Sequence, residues 1–290
     1  MGLVSHLTYT SSLCGILSTT RELAMSRFGQ RLARVMTVGG LAIACVMTGS
    51  GAAHAAGAAY TALGDSYSSG VGTRSYTYDN TSCKRSNYAY PVLDAQRLGL
   101  TLTFAACSGA RVPDVLNQLG SLSASTADVT VTVGGNDAGF SSVITQCAKP
   151  WPYTCGGDID KAQTYIRNTL PGVLDGLYTK IHTLAPNAKV VVVGYPRLFN
   201  GQQCNAGARI SPDEMSRLND TSDLLAATTS GRASAHGFGY VDPRSAFTGH
   251  EICDSAEWLN GLSDPITESY HPNRDGQVGY ANLVQTALTT

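Results

Sequence analysis

The chain has 290 residues, of which 43% are hydrophobic and 14% charged, and its formal charge is −1. That is enough apolar material for one sizeable core, and it favours one large α/β domain over two small ones. The balanced charge supplies no basic patch, so nucleic acid is not an expected partner.

Arg27, Arg31 and Arg34 precede an apolar run from Val35 to Met47, followed by the small-residue stretch Gly49 to Ala59. This is the order of a secretory signal peptide, and Ala53-His54-Ala55 fits its cleavage pattern. The apolar run is short for a bilayer span. Residues 25–55 are therefore expected to be a leader, residues 1–24 an upstream start called too early, and residues 56–290 a single secreted domain. Losing residues 1–55 removes Arg21, Arg27, Arg31 and Arg34 against Glu22, which turns 20 basic and 21 acidic residues into 16 and 20, a formal charge of −4.

Ala59 to Leu63 reads as a buried strand that runs into Gly64-Asp65-Ser66-Tyr67-Ser68-Ser69-Gly70. After a polar, aromatic loop to Arg85, a helix is expected over Tyr90 to Leu98, with Pro91 in its first turn. A short strand, Leu100 to Phe104, leads to Cys107-Ser108-Gly109, and Val112, Val115, Leu116 and Leu119 mark one face of a helix. The β-branched run Val129 to Val133 suits a central parallel strand and ends in Gly134-Gly135-Asn136-Asp137, with a helix starting near Asp137.

Ile166, Leu170, Val173, Leu174, Leu177, Ile181 and Leu184 recur at helical spacing, with a kink or restart at Pro171. Val190 to Val193 is a fourth strand. A helix capped by Ser211 runs from Pro212 to about His236, and Tyr240-Val241 is a short fifth strand. The segment Glu268-Ser269-Tyr270-His271-Pro272-Asn273 precedes a final helix that carries Tyr280, Ala281, Val284 and Leu288. Alternating strands and helices imply a parallel sheet covered on both faces, with the glycine-bearing loops at Ser66, Gly109 and Asn136 gathered at the carboxyl ends of strands.

Six cysteines follow the leader. In an exported chain an even number implies disulfides, although six allow many pairings. Pairing in chain order is expected: Cys83–Cys107, Cys147–Cys155 across a short Pro/Trp loop, and Cys204–Cys253. No two of them have Cys-x-x-Cys spacing, so no zinc site is expected.

A serine hydroxyl needs a base within hydrogen-bond reach, and the base needs an orienting acceptor. Ser66 supplies the hydroxyl. Among the histidines beyond the leader, His182 lies in a helix turn, His236 at a helix end and His250 in a cysteine loop. His271 is fixed at a helix entrance, with Glu268 three residues before it to hold the ring; a backbone carbonyl of residue 268 or 269 is the alternative. The backbone N–H groups of Ser66 and Gly109 and the side-chain amide of Asn136 would meet an oxyanion, glycine at 109 leaving the substrate oxygen room. With an unperturbed imidazole, activity would fall below about pH 6.5.

In this pattern the chain resembles the SGNH, or GDSL-type, hydrolase superfamily. Ser66 in Gly-Asp-Ser, Gly109, Asn136 in Gly-Gly-Asn-Asp and His271 in His-Pro match its four blocks in order. The resemblance runs from about Tyr60 to the C-terminus, and the cysteine-bearing loops look most similar to secreted actinobacterial lipases and phospholipases. It implies a flavodoxin-like three-layer α/β/α sandwich with a central parallel sheet of about five strands, and acyl-ester hydrolysis without metal or cofactor. The family usually places Asp where this chain has Glu268, and some relatives use a Ser-His dyad with a main-chain carbonyl.

The expected substrate is a lipid acyl ester, with an acetylated carbohydrate or a non-catalytic ligand as alternatives. A phosphate-cradling role for Gly64 to Gly72 lacks the Gly-Lys-Ser/Thr ending. Tyr76, Tyr78, Trp151 and Tyr153 are expected either to pack beneath the disulfide loops or to line an acyl groove. A monomer with transient contact at a lipid interface is expected.

Overall fold

In the computed structural model, which describes residues 57–150, 152–204 and 209–290, strand β3 (Asp128–Thr132) is the middle of a five-stranded parallel sheet. Its neighbours are β1 (Ala59–Gly64) and β4 (Lys189–Val193), with β2 (Thr101–Phe104) and β5 (Gly239–Val241) at the edges, in the order β2-β1-β3-β4-β5. That is the flavodoxin-like order, whose topological switch point lies between β1 and β3. The sequence expectations for a leader and an upstream start fall outside the described residues, as does Trp151.

The alternation along β3 explains how both faces are covered. Val129 and Val131 point into one core with Leu63, Val190 and Val192, against Val112 and Val115 of α3 (Val112–Gln118) and Leu170, Leu174 and Leu177 of α6 (Leu170–Leu184). The opposite face of β4, Val191 and Val193, packs with Tyr90 of α2 (Tyr90–Leu98) and with Tyr280, Val284 and Leu288 of α9 (Arg274–Thr289). On that side β3 presents threonines instead: Thr130 Oγ1 is 2.8 Å from the Tyr60 hydroxyl and Thr132 Oγ1 is 3.4 Å from that of Tyr90. Buried hydroxyls that pair with one another avoid the cost of unsatisfied polar groups.

The remaining helices are α1 (Ser66–Ser69), α4 (Phe140–Cys147), α5 (Gly156–Asn168), α7 (Pro212–Ala235) and α8 (Arg244–Phe247). One expectation is met, the restart at Pro171, and one, the start of α4, is not. The apolar run through Leu184 is two helices, with Thr169 between them and Pro171 in the first turn of the second, where a missing N–H does no harm. The helix expected near Asp137 begins three residues later, at Phe140, because the Asp137 carboxylate is used elsewhere. It accepts the Val112 N–H at 3.0 and 3.2 Å and so caps α3 rather than its own helix. α7 begins with a capping box, Ser211 accepting from Glu214 N–H and Glu214 from Ser211 N–H.

Cysteines are bonded in chain order, Cys83–Cys107, Cys147–Cys155 and Cys204–Cys253. The first matters most for position. It fastens the loop after α1 beside residues 107–109, where Ser108 N–H also donates to the Cys83 carbonyl.

Candidate active site

The sharp exit from β1 depends on Gly64, whose backbone lies so close to β3 that a Cβ would sit 2.3 Å from the Thr132 carbonyl oxygen. Asp65 then caps α1 by accepting the Tyr67 N–H at 2.9 Å, which leaves Ser66 at the first helical position. At the other end of the chain, Asn273 caps α9 by accepting from Gly276 N–H. The residues just before it form a short antiparallel bridge. Asn260 N–H donates to the His271 carbonyl and Tyr270 N–H to the Asn260 carbonyl, both at 2.9 Å. The two segments are joined directly, since the Tyr67 hydroxyl donates to the Tyr270 carbonyl at 2.8 Å.

This brings Ser66 Oγ to 2.8 Å from His271 Nε2. His271 Nδ1 lies 2.8 Å from the Ser269 carbonyl oxygen. A carbonyl can only accept, so Nδ1 carries the proton and the Nε2 lone pair faces the serine hydroxyl. Burial pushes the His271 pKa down to about 4, against smaller upward pulls from the Ser269 carbonyl and Glu268. The imidazole therefore stays neutral, and able to accept a proton, well below its ordinary range.

Glu268 does not orient the imidazole, which corrects the expectation of a Ser-His-Glu triad. Its carboxylate is hydrogen-bonded to other groups. Oε2 accepts the Gly72 N–H at 2.8 Å, and both oxygens lie 2.5 Å from the Tyr76 hydroxyl. Residues 266–268 form a single 3-10 turn, whose backbone delivers the Ser269 carbonyl, not the Glu268 side chain, to Nδ1.

Gly109 and Asn136 line the same cavity as Ser66 and His271, and the two loops are stitched together. The Asn136 amide donates to the Ala110 carbonyl at 3.1 Å, alongside the Asp137 cap on α3. Gly109 has φ +80°, and an added Cβ would meet no protein atom within 4 Å. The demand for glycine there is one of backbone conformation, with the space beside it left open.

Three participants were not visible in the sequence reading. Asp65 reads in the sequence only as the residue before Ser66. Its second carboxylate oxygen accepts the Tyr195 hydroxyl, which in turn accepts the Gly135 N–H at 3.2 Å. Burial pushes the Asp65 pKa up to about 7 and raises that of Tyr195. Tyr195 follows β4 directly, and a carboxyl-end position of this kind is a signal that could have been read. Gln277 is fully buried, accepts the Tyr90 N–H and donates to the Tyr67 carbonyl, so it ties α9 to both α1 and α2. Nothing in its surroundings in the sequence marks it.

The other histidines are engaged elsewhere. His236 pairs with Asp175, His250 is stacked on Trp258, and His182 is exposed. Tyr78 and Tyr153 stand in solvent, neither packed beneath the disulfide loops nor lining the cavity, and Tyr76 is held by Glu268. Among the described residues, the one cluster of possible metal ligands is Cys147, Cys155 and Glu214. Its sulfurs are bonded to each other, and Glu214 caps α7.

The cavity beside Ser66 has a volume of about 330 Å³, within the range of small-molecule sites. Phe140, Ile144 and Ala148, along α4, give it an apolar wall. A hydroxyl on a neutral imidazole, beside a glycine loop and an amide, is an arrangement for nucleophilic attack on a carbonyl.

Residues 62–278 match the model of the GDSL-like Lipase/Acylhydrolase family. The chain belongs to this family. It is 44% identical over 252 residues to Lipase 1 of Streptomyces coelicolor, covering 86% of this chain and 93% of that protein. The crystal structure of an extracellular lipase from Streptomyces rimosus superposes with a TM-score of 0.75 at 44% identity, over 79% of this chain and 98% of that one. A phospholipase A1 from Streptomyces albidoflavus superposes with a TM-score of 0.76 at 42% identity, over 80% of this chain and all of that one. Membership at this level of identity makes the chain an ester hydrolase, as its resemblance to the GDSL-type hydrolases implied.

Proposed function

We propose that the protein is an exported lipase-type hydrolase that cleaves acyl esters of lipids with a Ser66–His271 dyad. The observation that carries this reading is the 2.8 Å approach of Ser66 Oγ to an imidazole nitrogen whose partner nitrogen is committed to the Ser269 carbonyl. As His271 Nε2 takes the hydroxyl proton, Ser66 Oγ bonds to the ester carbonyl carbon. The carbonyl oxygen becomes an oxyanion, met by the N–H groups of Ser66 and Gly109 and the amide of Asn136. Each donor of this kind lowers the barrier by about 3–4 kcal/mol.

Collapse of that intermediate breaks the bond to the alcohol oxygen, which leaves with the proton from Nε2, and the acyl group stays on Ser66. Water then gives a proton to Nε2 and its oxygen to the acyl carbon, and Ser66 leaves with that proton restored. The Ser269 carbonyl stabilises the imidazolium that forms twice in the cycle.

Two features support lipid as the substrate: the apolar wall along α4 and the names of the Streptomyces relatives, a lipase and a phospholipase A1. Export is supported by the leader pattern, three disulfides and the extracellular lipase among the relatives. The enzyme acts as a monomer that meets lipid transiently, and Ile266, 65% exposed at the cavity rim, is the residue placed to touch such a surface. Hydrolysis of a short chromogenic acyl ester by Ser66→Ala tests the mechanism. Activity should fall by at least about 10³-fold, and retention of most of it would remove Ser66 from the mechanism.

A further inference from the structure

Lys84 is a cation held in place at both ends. Its backbone has φ +50° and follows Cys83, which is bonded to Cys107 and accepts the Ser108 N–H, so it is anchored to the Gly109 loop. Its ammonium crosses to the other rim, where Nζ donates to Thr267 Oγ1 at 2.7 Å and lies 5.7 Å from the centre of the Tyr76 ring. Ser108 and Thr267 both line the cavity that holds Ser66. Its charge also reaches the dyad, acting against protonation of His271.

Among the described residues no carboxylate pairs with Lys84, in contrast to its neighbour Arg85, whose guanidinium is bound to Asp79. An ammonium has three donors, and Thr267 takes one. Two remain for an anion at the cavity mouth, while the wall along α4 is apolar. A neutral triacylglycerol offers them only ester carbonyl oxygens, whereas a phosphate offers anionic oxygens, which are stronger acceptors for an ammonium.

We infer that Lys84 is an anion-recognition residue, and that the preferred substrate is an acyl ester whose alcohol carries a phosphate, a glycerophospholipid rather than a neutral glyceride. This rests on the hydrolase reading above. The acyl chain takes the apolar wall, the ester carbonyl lies over Ser66, and the phosphate oxygens accept from Lys84 Nζ. A charge-assisted contact of this kind affects discrimination between substrates by about tenfold.

The test compares dioctanoyl phosphatidylglycerol with trioctanoylglycerol, which offer the same acyl chain, using the full chain and its Lys84→Met and Lys84→Arg variants. The ratio of kcat/KM for phospholipid over neutral ester should fall about tenfold in Lys84→Met, mainly through KM, and stay within about threefold of the parent in Lys84→Arg. Inorganic phosphate should compete with the neutral ester in the parent enzyme, an arm that needs no variant to fold. A ratio unchanged in Lys84→Met overturns the inference even if free phosphate inhibits, since the cation would then serve a free anion and not a head group. Absence of phosphate competition in the parent overturns it as well. Neither result touches the assignment of Ser66, which stands or falls on Ser66→Ala alone.

Discussion

Two buried carboxylates flank the dyad, and they are built alike. Asp65 accepts one backbone N–H, from Tyr67, and one tyrosine hydroxyl, from Tyr195. Glu268 accepts one backbone N–H, from Gly72, and one tyrosine hydroxyl, from Tyr76. Neither takes the imidazole proton, which goes to the Ser269 carbonyl. They differ in what they hold. Asp65 fixes the start of the helix that carries Ser66, whereas Glu268 clamps the loop after that helix to the segment leading to His271. The carboxylate beside the serine therefore sets the position of the Ser66 hydroxyl, and the one beside the histidine sets the position of a loop. A carboxylate three residues from a histidine need not be its partner when a carbonyl reaches the ring first.

Removing each carboxylate should break this symmetry. Asp65→Ala leaves the Tyr67 N–H and the Tyr195 hydroxyl without their acceptor and removes a helix cap, at a cost of about 3 kcal/mol in stability. It also frees Ser66 to move, and displacement of a reacting group by roughly 1 Å costs about 10²-fold in kcat. Glu268→Ala should lower kcat by no more than about tenfold, since the Ser269 carbonyl still orients the ring. A triad acid would cost about 10⁴-fold. Steady-state kinetics on one chromogenic ester compares the two. A loss above about 10³-fold for Glu268→Ala would place that carboxylate in the mechanism.

The tyrosines sharpen the contrast at smaller amplitude. Tyr195→Phe strands the Asp65 carboxylate and the Gly135 N–H deep in the site, and should lower stability by about 1–3 kcal/mol. Tyr76→Phe leaves the buried Glu268 carboxylate its Gly72 N–H, and because Tyr76 is itself partly exposed, water can take the place of its hydroxyl, so the cost should be about 1 kcal/mol. Thermal denaturation of both variants in one buffer reads the difference. Equal losses would mean that the two clamps are equally buried in their effect.

Much of this architecture was legible because strand ends and periodicity are local properties. The β-branched runs at Val129 and Val190 fixed the sheet, and the glycine loops after β1 and β3 fixed where Ser66 and Asn136 would meet. The start of α4 was not legible, because Asp137 caps a helix formed by residues 112–118, a partner chosen by tertiary structure. The role of Glu268 failed for a related reason. Spacing of three residues suggested a shared loop face, but the 3-10 turn at 266–268 points the side chain to Gly72 and Tyr76, nearly 200 residues away in the chain. Gln277 shows the same limit, since its partners lie on two other helices.

Protonation offers the finest test of the comparison. With the His271 pKa pushed down to about 4, the acid limb of kcat/KM should fall near pH 4, not near 6.5 as expected for a free imidazole. The same shift has a sign in stability. Between about pH 4 and 6.5 the unfolded chain binds the His271 proton and the folded one does not, so this contribution is lost as pH falls through that window. Asp65 acts in the opposite sense. Its pKa is pushed up to about 7, so between about pH 4 and 7 the folded chain holds the proton and the unfolded chain does not, and this contribution is lost as pH rises. In the parent the two slopes oppose each other. Asp65→Asn removes only the second, so its melting temperature should drop more steeply than the parent's on going from pH 6.5 to pH 4.5, whatever its absolute value. Parallel profiles for parent and variant would show that the Asp65 carboxyl is already ionised in the folded enzyme across this range, with the Tyr67 N–H and Tyr195 hydroxyl outweighing its burial.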